Sequence, residues 1–267
     1  MARVLSWCLY LNPNNVSRLG EYLMGLKCNV EAAQLWFPEW EYRLYVHEGV
    51  KNYPKVWQFI TDVCQQVKLI MVREGYPTET ERYRPLFEDN EVTVVRDIDS
   101  ILSKTDVDRV FAWLNTDSRL LQYREYLMPE HYAMGGGLAL KGKLNHEELY
   151  IKPIDYQRGQ DEDMLSVLLV QIPIKEKTII ITRMINTGIY YLFNHVDQAP
   201  WEQTLLWPVP FYDSEAGMLH YYPNCKPLKR DIDGIVQYCL QTPIKTELIH
   251  SHIHQEKYHL EDLRWIR

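Results

Sequence analysis

The first hundred or so residues alternate between short apolar runs, which are typical of β-strands, and longer segments with helical periodicity. The strand-like runs span residues 4–11, 42–46, 67–72 and 91–95. Between them, apolar residues recur at steps of three and four, which places them on one face of a helix. Because this alternation is typical of βαβ units, the sequence predicts an α/β fold with a mostly parallel central sheet flanked by helices.

The rest of the chain is less regular. Its patterns favour a strand over residues 133–140, a helix over 161–171 and a strand over 178–182. A chain of 267 residues is long enough to bury one large core. We therefore expect a single domain over residues 1–267, with a C-terminal helical extension from about residue 232.

Composition and charge exclude several classes of protein. The net charge of -7 argues against affinity gained by neutralising phosphates, so we do not expect nucleic acid as a partner. The five cysteines are odd in number and form no C-x-x-C pair, which favours a reduced intracellular protein. The N-terminus has no signal-peptide pattern, and the longest apolar run, 164–174, is too short for a transmembrane segment. These features predict a soluble cytoplasmic protein, in the host cytoplasm if the source is viral.

An acidic pair, Asp97 and Asp99, comes directly after the fourth strand-like run. We expect it at the C-terminal edge of the parallel sheet, where open α/β folds bind their ligands. Two carboxylates one residue apart suit a hard divalent cation, which prefers oxygen ligands. The alternative is a loop in which these aspartates only cap the following helix.

Three other segments accompany the acidic pair in a recognisable order: 82–86 (RYRPL), 135–137 (GGG) and 220–227 (HYYPNCKP). Together with D-x-D they resemble the nucleotide-sugar-dependent glycosyltransferases of the GT-A fold, most closely family 8 of that group. The resemblance covers roughly residues 3–231. It implies a GT-A (Rossmann-like) fold and a sugar-transfer reaction.

A metal site is part of what this resemblance implies. In family 8 the D-x-D segment and a later H-x5-K-P segment supply the metal ligands and a lysine that binds phosphate. Carried over, Asp97, Asp99 and His220 would hold Mn²⁺ or Mg²⁺ against the donor diphosphate, and Lys226 would contact the same phosphate oxygens. Without that spacing, His220 would be an ordinary histidine of an aromatic cluster.

The segment 161–165 (DEDML) resembles the D-Q-D-x-L segment of the family. Because the second residue of that segment sits beside the reacting sugar carbon, the resemblance gives Glu162 a catalytic role, as nucleophile or as stabiliser of an oxocarbenium-like transition state. Two alternatives stay open. The acidic residues are also typical of a solvated helix start, and the Asp197-Gln198 pair offers a second match that would place Gln198 at the reacting carbon.

The resemblance implies further donor-binding residues besides Asp97 and Lys226. Arg84 would contact phosphate or sugar, with a surface ion pair as the alternative. Gly136 and Gly137 would let the backbone approach the sugar, with a bulge or turn as the alternative. Tyr10 and Asn12, at the end of the first strand, would meet the nucleobase and ribose by analogy with the fold.

The sequence thus predicts a metal-dependent glycosyltransferase that moves a sugar from a nucleotide-sugar donor, with UDP the expected nucleotide, to a glycan or other hydroxyl acceptor. The resemblance implies retention of the anomeric configuration. One alternative is a nucleotidyltransferase of similar fold, although the segment 12–15 (NPNN) lacks the glycine- and lysine-bearing phosphate loop of such enzymes. The other is a non-catalytic module that binds a nucleotide sugar or a glycan.

Overall fold

The structure is a computed structural model. It describes residues 1–10, 19–73, 78–98, 102, 104–125, 136–145, 160–182, 210–213, 218–221, 236, 237 and 240. The helices in these ranges are α1 (Leu19–Trp36), α2 (Pro54–Val63), α3 (Thr78–Glu81), α4 (Lys104–Leu114) and α5 (Gln160–Leu169). The strands are β1 (Arg3–Leu9), β2 (Glu41–His47), β3 (Lys68–Val72), β4 (Val92–Arg96), β5 (Leu120–Glu125), β6 (Gly137–Lys141), β7 (Lys177–Thr182), β8 (Pro210–Asp213) and β9 (Met218–Tyr221). Short 3-10 turns lie at Glu48–Asn52, Arg84–Phe87 and Ile174–Glu176.

Strands β1 to β7 form one seven-stranded sheet in the order β3-β2-β1-β4-β6-β5-β7. The first four strands pair in parallel, as do β5 and β7, whereas β6 runs antiparallel to both β4 and β5. Strands β8 and β9 form a separate antiparallel pair. The prediction of an α/β fold with a mostly parallel central sheet is therefore confirmed, and the arrangement fits a GT-A fold.

The two faces of the sheet are covered by different elements, because successive side chains of a strand point to opposite faces. Leu5, Trp7 and Leu9 of β1 pack into the larger hydrophobic core with side chains of α1, α2 and α4. A second core on the other face joins Val95 of β4 to apolar residues of α5. Both faces are buried, which explains why β1 and β4 are nearly continuous apolar runs rather than alternating ones.

The C-terminal ends of the parallel strands meet at one edge of the sheet. Strand β1 ends at Leu9, β2 at His47 and β4 at Arg96, so Tyr10 and Asp97 follow at the same edge. Strand β6 enters the sheet there, because Gly137 is paired with Arg96. The topology thus collects three of the sequence features at a single edge: the end of the first strand, the acidic strand end and the glycine segment.

Within the ranges that the structure describes, no helix has both the length and the apolar character needed to cross a bilayer.

Candidate active site

Gly136 and the Asp97 carboxylate lie against each other at the C-terminal edge of the sheet. A Cβ atom added to Gly136 would lie 1.9 Å from Oδ2 of Asp97 and 2.3 Å from its Cγ. Side chains of other residues therefore do not fit at position 136 while Asp97 keeps this conformation. The antiparallel pairing of β6 with β4 places Gly136 beside Asp97, and a role for the glycines in lining a sugar site stays a prediction.

Arg82 bridges two of the acidic segments that the sequence singled out. Its Nη1 lies 2.6 Å from Oδ1 of Asp97, and its Nη2 lies 3.0 Å from Oδ2 of Asp161 at the start of α5. The side chains of Arg82 and Asp161 are each 9% exposed, and that of Asp97 is 27% exposed. One buried guanidinium therefore ties the end of β4 to the acidic start of α5.

Neighbouring groups fix Arg82 in this position. Its Nη2 donates a hydrogen bond to the Tyr83 hydroxyl at 2.8 Å, and that hydroxyl donates to Oδ2 of Asp161 at 3.2 Å. The buried hydroxyl of Ser6 donates to the Arg82 carbonyl oxygen at 2.7 Å, and Nη1 of Arg82 lies 3.6 Å from Sγ of Cys8. Ser6 and Cys8 lie on the face of β1 that points away from the larger core, and their small size leaves room for the guanidinium.

The charge state of this cluster follows from its burial and its acids. Burial alone would lower the pKa of Arg82, but the negative groups around it, Asp97 first, outweigh that effect and raise it, so Arg82 stays cationic. Burial raises the pKa of the Cys8 thiol to about 12, although Arg82 opposes the shift. Since the thiolate is the nucleophile, Cys8 is not a nucleophile at neutral pH. Burial also raises the pKa of Tyr83, whose hydroxyl stays protonated and able to donate.

Glu79 of α3 is a further acid at this edge, which no sequence pattern singles out. Burial raises its pKa, the charge of Asp161 acts in the same direction, and Arg82 opposes them. The charge of Glu79 in turn adds to the effect of burial in raising the pKa of Tyr10. Glu79 therefore lies within electrostatic range of both Tyr10 and the Arg82 cluster.

Neutralising Glu79 is expected to stabilise the protein at neutral pH. A carboxyl whose folded pKa is raised favours folding below its unfolded pKa, near the ordinary 4.5, and loses that contribution as the pH rises through the folded value. Glu79→Gln mimics the protonated form at every pH. Urea unfolding should show E79Q more stable than wild type at pH 7 and equal to it near pH 4. A variant that is less stable at pH 7 would mean that attraction to Arg82 outweighs burial.

Arg84 is placed differently from Arg82. Its Nε and Nη2 contact the two carboxylate oxygens of Glu81 at 2.9 and 3.1 Å, and its side chain is 44% exposed. This is the ion pair that the sequence left open as an alternative. The arginine that contacts the D-x-D segment is Arg82, two residues earlier, and a donor-binding role for Arg84 stays a prediction.

Tyr10 lies at the ends of β1 and β2, where the fold analogy expects the nucleobase. Its ring packs edge-on against the ring of His47, with centroids 5.6 Å apart and an interplanar angle of 82°. Nδ1 of His47 accepts a hydrogen bond from the Gly49 N–H at 3.2 Å, which leaves Nε2 to carry the proton of the neutral ring. Tyr10 and His47 thus form a part-buried aromatic pair at this edge.

The remaining predicted site residues are described in part or not at all. Glu162 follows Asp161 in α5, and His220 lies in β9 opposite Phe211 of β8; only the backbone is described at Glu162 and His220. The residues that lie outside the described ranges are Asn12, Asp99, Gln198 and Lys226. Their roles stay predictions.

The described part of the proposed metal site is the carboxylate of Asp97. Among the side chains that the structure describes, no three acidic, histidine or cysteine residues gather into a metal-binding group. Asp97 itself fits an oxygen-ligated cation such as Mn²⁺ or Mg²⁺, because it is a partly exposed carboxylate at a strand end. Its Oδ1 is held by Arg82, which orients the group in the way that hydrogen-bonded metal ligands are commonly oriented.

No protein-family model and no curated protein matches this sequence. Similar solved structures include the mannosyltransferase PcManGT from Pyrobaculum calidifontis in complex with GDP-Man and Mn²⁺, at 11% identity and a TM-score of 0.42, over 71% of this chain and 59% of that one. The galactosyltransferase LgtC, in complex with donor and acceptor sugar analogues, has 15% identity and a TM-score of 0.37, over 62% and 70% of the two chains. The 4-diphosphocytidyl-2C-methyl-D-erythritol synthase from Anaerococcus prevotii has 8% identity and a TM-score of 0.41, over 70% and 92%. Likeness at this level assigns no activity, so the functional argument depends on the site.

Proposed function

We propose that the protein is a metal-dependent glycosyltransferase that transfers a sugar from a nucleotide-diphosphate donor to a hydroxyl acceptor. The observation that supports this most is the bridge that Arg82 makes between Asp97 and Asp161. These aspartates belong to the two acidic segments that the resemblance to family 8 matches to its D-x-D and D-Q-D segments. Segments separated by some sixty residues of sequence meet at the sheet edge where open α/β folds bind ligands.

The donor diphosphate would lie beside Asp97. Together with Asp99 and His220, Asp97 would hold Mn²⁺ or Mg²⁺, which supplies charge neutralisation at the departing diphosphate. Lys226 would add a second positive charge at the same oxygens, where negative charge grows in the transition state. Tyr10 and Asn12 would contact the nucleobase and ribose of the donor.

The sugar of the donor would lie between the glycine segment and the start of α5. Gly136 and Gly137 are buried at this edge, and because they have no side chains a bound sugar would meet only backbone there. Arg82 and Tyr83 hold the buried Asp161 carboxylate in one orientation, which would fix the start of α5 beside the sugar. Glu162, next in the chain, would face the reacting carbon. UDP as the nucleotide, retention of configuration and a glycan or other hydroxyl acceptor belong to the same proposal.

Thermal unfolding with a panel of UDP, GDP, CMP and ADP compounds, with and without Mn²⁺, tests this proposal. A ligand present at about a hundred times its dissociation constant stabilises the folded state by roughly 2.7 kcal/mol. For a chain of this size that raises the unfolding midpoint by roughly 5–10 °C. We expect one nucleotide series to raise the unfolding midpoint of the wild-type protein, and only in the presence of Mn²⁺. The Asp97→Asn variant should show no such rise.

Glu91→Gln is the matched control for that experiment. Glu91 also neighbours β4 and pairs with an arginine, at 2.6 Å from Nη2 of Arg3, but it lies at the opposite end of the strand. E91Q should therefore keep the full metal-dependent rise. An equal rise of the unfolding midpoint in D97N and wild type would show that Asp97 does not bind the metal. No rise with any nucleotide would overturn the proposed donor class.

A further inference from the structure

Helix α1 carries one buried amide, Asn29, on the face that packs against the sheet and the segment after β4. Asn29 is fully buried, its Nδ2 donates to the carbonyl oxygen of Ile98 at 3.0 Å, and its Oδ1 accepts from the Leu102 N–H at 2.8 Å. Asparagine is unfavourable inside a helix and costly to bury without partners. The two hydrogen bonds offset that cost.

These two hydrogen bonds hold both ends of one short segment. Ile98 directly follows Asp97, and Leu102 lies just before the start of α4, so Asp99 stands between them in the sequence. Ile98 and Leu102 are themselves buried, so packing also anchors both residues. The backbone at Ile98 and at Leu102 is thereby held in place before any ligand binds.

Arg82 contacts the Asp97 carboxylate from one face of the sheet, while Asn29, on the helix that covers the other face, bonds the backbone of Ile98 and Leu102. We propose that Asn29 is a positioning residue that holds the backbone at Ile98, and with it the end of β4 that carries Asp97, for divalent-cation binding. This inference rests on the proposed function, because it takes the D-x-D segment as the cation site.

A buried tyrosine of β2 that hydrogen-bonds to the end of the same helix provides a matched control. The hydroxyl of Tyr42 contacts the carbonyl oxygens of Ala33 and Phe37, at 3.1 and 2.7 Å, around the C-terminal end of α1. Tyr42→Phe removes this hydroxyl and so, like the Asn29 variants, deletes buried hydrogen bonds between a side chain and the backbone. Those bonds lie away from residues 98–102, so Y42F reproduces the loss of helix anchoring without touching the acidic segment.

The experiment measures the affinity for Mn²⁺ by electron paramagnetic resonance, in the presence of saturating nucleoside diphosphate, in wild type, Asn29→Leu and Y42F. N29L keeps the approximate volume of the side chain and deletes both hydrogen bonds. We expect N29L to bind Mn²⁺ about 10–100-fold more weakly, the usual cost of losing a group that orients a metal ligand. Y42F should bind Mn²⁺ as wild type does. Asn29→Ser, whose smaller side chain leaves space for water, should also bind Mn²⁺ more weakly than wild type. It takes the place of N29L in the measurement if N29L does not fold.

The possible outcomes separate this inference from the proposed function. Weaker Mn²⁺ binding in a folded N29L or N29S, with Y42F unchanged, supports the positioning role. Mn²⁺ affinity in the Asn29 variants equal to that of Y42F would overturn it and leave Asn29 with a packing role alone. Absence of Mn²⁺ binding in the wild-type protein would instead overturn the proposed metal-dependent function itself.

Discussion

Replacing Arg82 by methionine is expected to destabilise the protein by about 3–5 kcal/mol, the usual cost of removing one partner from a buried ion pair. The loss arises because Asp97 and Asp161 remain in place without their shared cation, and Asp161 is only 9% exposed. Methionine keeps much of the side-chain volume, so packing contributes little to the change. Urea unfolding at pH 7 measures the effect, and the midpoint of thermal unfolding should fall by roughly 10 °C.

Arg3→Met is the control for R82M, since Arg3 pairs with Glu91 near the surface and its side chain is 43% exposed. An exposed pair of this kind contributes about 0.2–1 kcal/mol. Equal losses in R82M and R3M would show that Arg82 does not hold these carboxylates.

Replacing Gly136 by alanine is expected to weaken metal-dependent donor binding about 100-fold, the scale of effect that follows from displacing a binding group by about 1 Å. The added Cβ would lie 1.9 Å from Oδ2 of Asp97, so the carboxylate has to leave its present position. Because Gly136 lies just before the first paired residue of β6, Gly137, we expect G136A to fold. Calorimetric titration of nucleoside diphosphate in the presence of Mn²⁺ measures the effect.

Gly142→Ala is the matched control for G136A. Gly142 lies just after the other end of β6, with a φ of 74° and open space around its Cα. Alanine is strained at positive φ, so G142A should cost about 1 kcal/mol of stability and leave donor binding intact. If G136A binds donor as tightly as G142A does, the position of the Asp97 carboxylate is not what the site depends on.

The sequence predicted the parallel part of the sheet and the acidic strand end, because both follow from local patterns. Alternating strand and helix signals fix β1 to β4 and therefore place Asp97 at the C-terminal edge. Strand β5 (Leu120–Glu125) was missed because its residues mix apolar and polar types without clear periodicity. The antiparallel direction of β6 is set by its partners, which no local pattern reveals.

The contacts of Arg82 could not be predicted because they depend on long-range packing. The resemblance directed attention to Arg84 as the basic residue before the D-x-D strand, whereas the fold turns Arg82 towards the sheet. The pair of small residues Ser6 and Cys8 on one face of an otherwise bulky strand was a usable signal that a large side chain fills the space opposite. Asn29 is a comparable case, because a polar residue on the apolar stripe of α1 indicates a buried group with hydrogen-bond partners.

Under the proposed function, this sheet edge cleaves a nucleotide sugar between the sugar and the diphosphate. Phosphorus NMR of the protein incubated with Mn²⁺ and each of a panel of nucleotide sugars tests it, with water standing in for the unidentified acceptor. We expect one donor series to release its nucleoside diphosphate, and we expect chelation of the metal or Asp97→Asn to stop that release. Binding without release from any donor would contradict the enzymatic claim and favour a binding module, and release of pyrophosphate from a nucleoside triphosphate would identify a nucleotidyltransferase instead.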